Sequence, residues 1–453
     1  MRILLSAMIL VFLLLAGTGG LIPRWTPDTD GYLHPWTWEV IWGGGRNPLL
    51  GFLLAPFNDN YVLLPAIEVG FFFSATYYLY RRLVEFGTSE YAALALTLPL
   101  VISNVVLLYA HDIHPEFPAV ILLVFALGEM IGFHESAKRS PWRFAVFMLA
   151  LGFAYIIRPS LLPFIVIMPV LFLILGFVQT RRWNVRTSVV IFLLSASPFL
   201  LVSSVRYQAV KDFNIVSFGG FTLSGLASSM LNEELIPRLA PDHRELAQTI
   251  LNKSGAMIHA GELSPMVIDY DTGKRSFRRT ARSHFDILAS NFDEILYKIV
   301  RQTQQEPDET WVQFNKRMMS FSTDVVRNAP ADYAMWVVGA LRSATGTAIT
   351  QNIPLVLGLL GLATVYCFFL FSSRVPPLIF GSPLDIPTIA LVTVFYTVGS
   401  GILTVLVTYP ANRYVSTSAM FIPAIVFYIL LQLLVAAYGD KSRRAIGLES
   451  RPE

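Results

Sequence analysis

Long uncharged apolar runs alternate along this chain with short connections that carry its charge. The hydrocarbon core of a bilayer takes roughly 20 apolar residues per helical span. Hydropathy places about ten such runs, near residues 3–22, 61–80, 90–110, 117–134, 143–157, 160–179, 187–205, 353–371, 386–408 and 415–438. They are continuously apolar and do not alternate with a period of two, so they predict helices and not barrel strands. The pattern changes after residue 205. Residues 240–258, 276–304, 308–327 and 330–342 carry apolar positions at helical spacing with charge on the other face. Pro241-Asp242, with Glu245 in the first turn, reads as a helix start, and Phe218-Gly219-Gly220-Phe221 reads as a loop. The expected fold is an all-α polytopic membrane protein with a helix-rich extracytoplasmic insert. Its parts are residues 1–205 (the first seven runs and their outer loops), 206–350 (the insert), and 351–453 (the last three runs and a tail).

The connections add orientation. Arg81-Arg82, then Lys138, Arg139 and Arg143, then Arg181, Arg182 and Arg186, then Arg374, and finally Lys441, Arg443 and Arg444 occupy every second connection. The positive-inside rule puts these segments and both termini in the cytoplasm, which predicts a multi-pass protein of a cell inner (plasma) membrane. The first run imitates a secretory signal but precedes further membrane runs, so it reads as an uncleaved span. Residues 23–60, 111–116, the turn at Arg158-Pro159, 206–350 and 409–414 then lie on the outer face. Composition agrees, with 54% hydrophobic and 14% charged residues, where soluble chains carry about 25% charged. A net charge of +3 gives no argument for a nucleic-acid partner. The single cysteine, Cys367, lies in an apolar run and excludes a disulfide within the chain.

Candidate chemistry gathers in the outer connections. The first holds Asp28-Thr29-Asp30-Gly31-Tyr32, Arg46 and Asn58-Asp59-Asn60. A carboxylate here accepts a proton from a hydroxyl or ligates a cation, and Asp is also an ordinary turn former. The second, His111-Asp112-Ile113-His114-Pro115-Glu116, packs four ionisable groups into six residues beside the bilayer, where polar groups are costly and mark function. Its spacing matches no standard zinc motif. Arg158 and Arg413 run against the positive-inside bias; a guanidinium there either snorkels to headgroups or holds phosphate bidentately. Glu68 falls inside the second run, where a carboxylate is either functional or a buried hydrogen-bond partner, and His243, His259 and His284 form no cluster in sequence.

Taken together, four features resemble the GT-C class of membrane glycosyltransferases that use polyprenyl-phosphate sugars, including the bacterial mannosyl- and aminoarabinose-type transferases of the cell envelope. They are Asp28-Thr29-Asp30 after the first run, Asp112 and Glu116 in the second outer loop, Arg158-Pro159 closing an apolar run, and Asn412-Arg413-Tyr414 opening the last. The resemblance implies inverting transfer from a polyprenyl-phosphate sugar to a lipid or glycan acceptor among membrane lipids. Asp30 or Asp28 would be the general base, with Asp112 and Glu116 as further catalytic carboxylates. Arg158 and Arg413 would hold the phosphate, and Tyr414, His111, His114 and Asp59 would contact substrate. No cofactor is implied for every member, although some use a divalent cation. The chain departs from the best-known members in being short and lacking a long C-terminal soluble domain. Two other readings remain: an O-antigen-type polymerase or ligase with its key residues in 206–350, and a transporter or lipid flippase, for which broken helices and internal repeats are the signature. No internal repeat is visible in the sequence.

Overall fold

Where water is scarce, a backbone must satisfy its own N–H and C=O groups, and the apolar runs do so as helices. The computed structural model describes residues 1–438 apart from Pro27, 34–37, Asn47, 58–59, 136–140, Arg181, Asn184, 265–276, Glu306 and 372–384. The connections carrying Lys138, Arg139, Arg374, Lys441, Arg443 and Arg444 thus lie outside the described residues. The first part comprises α1 (Arg2–Thr18), α2 (Trp38–Gly43), α3 (Pro48–Leu54), α4 (Leu64–Glu85), α5 (Glu90–Val101), α6 (Asn104–Tyr109), α7 (Glu116–Glu135), α8 (Pro141–Ile157), α9 (Phe164–Thr180) and α10 (Val185–Val210). Next come α11 (Gly219–Ser229), α12 (Pro241–His259), α13 (Phe277–Glu294), α14 (Trp311–Asn328) and α15 (Pro330–Thr350). The chain closes with α16 (Ile353–Phe371), α17 (Asp385–Val407), α18 (Asn412–Ser418) and α19 (Ile422–Tyr438). Among the described residues there are no strands, and a single parallel bridge joins Arg24 to Asp112.

Four segments are long and apolar enough to cross a membrane: Glu90–Tyr109, Pro159–Phe177, Val185–Val210 and Thr388–Val407. Two bent pairs raise the number to six, and α1 and α8 are shorter apolar helices. The chain is therefore an all-helical membrane protein with four to six apolar spans among the described residues. The bends depart from the sequence reading. Residues 415–438, expected as one run, are split between α18 and α19 at 47°, because Pro423 suits the first turn of a new helix and not the interior of a continuing one. The 330–342 helix extends to Thr350 and meets α16 at 72°. Pro354 follows that break, and Asn104 clamps it, donating to the Gln351 carbonyl and accepting from the Ile353 amide at 3.3 Å.

There are two main cores. One runs through the packed apolar helices α1, α4, α5 and α7–α9. The other lies within residues 221–340 around Trp336, Phe314 and Phe321. This second core hangs on the end of α17: the Trp336 indole donates to the Val405 carbonyl at 2.9 Å and the Tyr333 hydroxyl to Leu406 at 2.7 Å. The Gly219-Gly220 loop expected from sequence is instead the start of α11. A Cβ on Gly220 would collide with the Asn315 carbonyl of α14, so the glycine serves close helix contact and not a turn.

Candidate functional site

The two acidic outer connections fold as one unit. The Arg24 amide donates to the His111 carbonyl at 2.7 Å, and the Ile113 amide to the Arg24 carbonyl at 3.4 Å. The Arg24 guanidinium grips Asp112 with both arms, at 2.6 and 2.9 Å. Thr26 Oγ1 lies 2.5 Å from His114 Nε2, and Thr29 Oγ1 donates to the Ile113 carbonyl at 3.3 Å. These ties fix the 3-10 turn Thr29–Tyr32 and with it the directions of Asp28 before it and Asp30 within it.

Asp28 turns inward. Its Oδ1 lies 2.5 Å from Arg46 Nη2 and its Oδ2 lies 2.5 Å from Arg413 Nη2. Asp30 is exposed and accepts from the Trp25 indole at 2.7 Å. Pro159 favours extended backbone at the residue before it, and Arg158 adopts φ −128°, ψ 97°. This carries its guanidinium onto Glu116, while Nε donates to Ser160 Oγ at 2.8 Å. Arg413, in the first turn of α18, approaches Glu116 Oε1 at 3.9 Å and the His114 ring at 3.2 Å. Tyr414 lies beneath both arginines, its ring 5.3 Å from the Arg158 guanidinium and 4.9 Å from that of Arg413.

Arg46 completes the cluster, sandwiched by Tyr32 at 5.4 Å and Phe218 at 4.0 Å. The insert also reaches in. Tyr297 lies on the π-helical turn Ile295–Val300, a backbone form frequent at functional sites, and its hydroxyl is 3.5 Å from Asp28 Oδ1.

Arg46, Arg158 and Arg413 thus face Asp28 and Glu116, and Asp293 of the insert lies near enough to feel Asp28 and Arg413. Burial pushes the Asp28 carboxyl up, but Arg46, Arg413 and His114 outweigh it and hold Asp28 below the usual carboxylate range. Burial pushes Glu116 up too; Arg158, the hydrogen bond from His114 and then Arg413 hold it well below. His111 is lowered, first by burial, against the opposing field of Asp112. The cluster borders a cavity of about 400 Å³. Its lining combines Arg46, Arg158, Tyr32 and Tyr414 with apolar side chains including Ile157, Leu162, Phe199, Leu403 and Val407. An amphiphile with an anionic head matches that lining.

Of the residues singled out from sequence, Asp28, Glu116, His114, Arg158, Arg413 and Tyr414 converge here. Asp112 and His111, 3.5 Å apart, stand one step back and stitch the loops together. Asp30 stays outside the cluster, and Asp59 lies outside the described residues. Arg46 and Tyr32 stand in the first outer connection with no role assigned from sequence, and nothing in the sequence marked Phe218 or Tyr297 as site residues. Arg46 carried a usable signal, since it is a third outer-face arginine and follows Gly43-Gly44-Gly45. Among the described residues no three His, Cys, Asp or Glu side chains converge as a metal-ligand set. No known protein family matches the chain, and no curated protein or solved structure matches it either.

Proposed function

We propose that the chain is an inverting membrane glycosyltransferase of the GT-C type, moving a sugar from a polyprenyl-phosphate donor to an acceptor hydroxyl. The observation that carries this reading is the convergence of Arg46, Arg158 and Arg413 with Asp28 and Glu116 beside a largely apolar cavity that Arg46 and Arg158 line. On this reading all ten apolar runs are spans, residues 206–350 and the acidic loops are extracytoplasmic, and both termini are cytoplasmic in a cell inner membrane.

The acceptor oxygen attacks the sugar C1 opposite the phosphate. The C1–O bond breaks with its electron pair going to the phosphate, which leaves with one more negative charge than it entered with. The three guanidiniums are positioned for that developing charge. The acceptor proton passes to a carboxylate, and Asp28 is the one the cluster holds beside Arg413 and Arg46. Paired in this way Asp28 is a weak base; a donor phosphate drawing the guanidiniums to itself restores its basicity. Asp28 and Glu116 are engaged by guanidiniums and do not fit a resident divalent cation.

A synthetic polyprenyl phosphate tests the phosphate site. Saturable binding to the wild type is expected, weakened roughly 10- to 100-fold in Arg158→Ala and in Arg413→Ala, the scale of one hydrogen-bonded charge pair. Binding unchanged in both variants overturns the site. The two bent helix pairs favour a second reading, a transporter, because such proteins bind substrate where helices break. Substrate crossing proteoliposomes unchanged, with no glycosylated product, would select it.

A further inference from the structure

Away from this site, α12 and α14 bring three side chains together. Asp324 Oδ2 is 2.8 Å from His243 Nδ1, and His243 Nε2 is 3.3 Å from Ser320 Oγ. We propose that Ser320, His243 and Asp324 form a second catalytic centre, one that hydrolyses carboxylic esters. The order is that of an activated nucleophile: a hydroxyl within reach of a base whose far nitrogen is held by a carboxylate.

The arrangement fixes the imidazole's tautomer. Nδ1 carries the proton and donates to Asp324, so the Nε2 lone pair faces the serine. Asp324 is itself held: its Oδ2 also accepts from the Ala240 amide at 2.8 Å, and its Oδ1 from Asn328 Nδ2 at 3.0 Å. The His243 side chain is 10% exposed and its ring edge packs on Phe321. Ser320 is exposed. Asp242 Oδ2, on a well-solvated side chain, lies 3.8 Å from Nε2 and is the one other charged group paired with this ring among the described residues. His243 lies in the first turn of α12, so the positive end of that helix is beside the serine, where oxyanion charge would develop.

The chemistry balances without an added reagent beyond water. Ser320 Oγ bonds to the ester carbonyl carbon as its proton moves to His243 Nε2. The C–O bond to the alcohol breaks, and the alcohol leaves with that proton. Water then attacks the acyl-serine, giving up a proton through His243 and releasing the carboxylic acid. Ser320 opens to solvent, so an ester reaches it without entering an enclosed cavity.

The full-length protein in detergent, treated with a fluorophosphonate probe and mapped by peptide mass spectrometry, decides the matter. The expected result is adduct on Ser320, hydrolysis of p-nitrophenyl butyrate, and loss of both in Ser320→Ala with the melting temperature unchanged. Asp324→Asn is expected to slow labelling by about 10²-fold or more while the protein still folds, through loss of the correct tautomer. A folded wild type that takes no label on Ser320, or that labels as fast in Asp324→Asn, would show a tie between α12 and α14 and overturn the proposal.

Discussion

Glu116 and Asp112 are both buried carboxylates in the same short loop, but their cations differ. The Arg158 side chain is 7% exposed, whereas Arg24, the partner of Asp112, is 55% exposed. Neutralising Glu116 without changing its shape, as Glu116→Gln, strands a guanidinium that cannot turn to water. Breaking a buried pair in this way costs about 3–5 kcal/mol. Asp112→Asn releases a guanidinium that is already half solvated, and the cost is that of a surface pair, under about 1 kcal/mol. Glu116→Gln also removes one of the carboxylates that engage the three guanidiniums, so the same change is expected to tighten polyprenyl-phosphate binding by roughly tenfold, or about 1.4 kcal/mol. Unfolding in mixed micelles followed by circular dichroism gives the stability order, and phosphate titration gives the affinity. Equal destabilisation by the two variants, or a Glu116→Gln variant that binds phosphate more weakly, would refute the charge accounting.

Three further outcomes are expected. Asp28 and Glu116 have folded-state affinities for protons below their unfolded values, so their stabilisation is complete above the unfolded pKa, about 4, and is lost as pH falls through the lowered folded values. The melting temperature should decline gently below about pH 6.5, where unfolded histidine takes a proton that buried His111 resists, and more steeply below about 4, and the steep part should be shallower in Glu116→Gln. Gly220→Ala drives a Cβ into the Asn315 carbonyl and should cost about 1–3 kcal/mol, measured by the same unfolding assay, whereas Gly255→Ala, with open space around it, should cost nothing. In a transfer assay with polyprenyl-phosphate sugars, Asp28→Asn should lose turnover and Asp30→Asn should keep it; retained turnover in Asp28→Asn would remove that residue from the mechanism.

Most helices were legible because the apolar runs set their extent, and Pro241 and Asp242 marked the start of α12 as read. What stayed hidden depended on contacts between distant segments. Gly219-Gly220 has the composition of a loop, and nothing local shows that a second helix lies against it. Asp28 and Asp30 are two residues apart on a turn with three residues per repeat, so one faces the cluster and the other does not. The sequence shows the spacing without showing which aspartate faces in. The pairing of Arg24 with Asp112 makes that choice, across 88 residues. Ser320 and Asp324 are legible as one face of α14, but the histidine they share is 77 and 81 residues away. Tyr297 left no trace, since a tyrosine in an amphipathic helix carries no sign of a π-helical turn.

The contact between Arg413 and Asp28 spans 385 residues of chain. At a synthesis rate of about 5–20 residues per second, Asp28 waits roughly 20–80 seconds on the ribosome before its second guanidinium exists. Through most of that interval the nascent protein has its acidic loops and Arg46 but neither Arg413 nor the wall that Leu403 and Val407 give the cavity. On the proposed reading, competence for a donor phosphate therefore arrives late, as α17 and α18 are laid down, and a chain that stalls before them is expected to lack it.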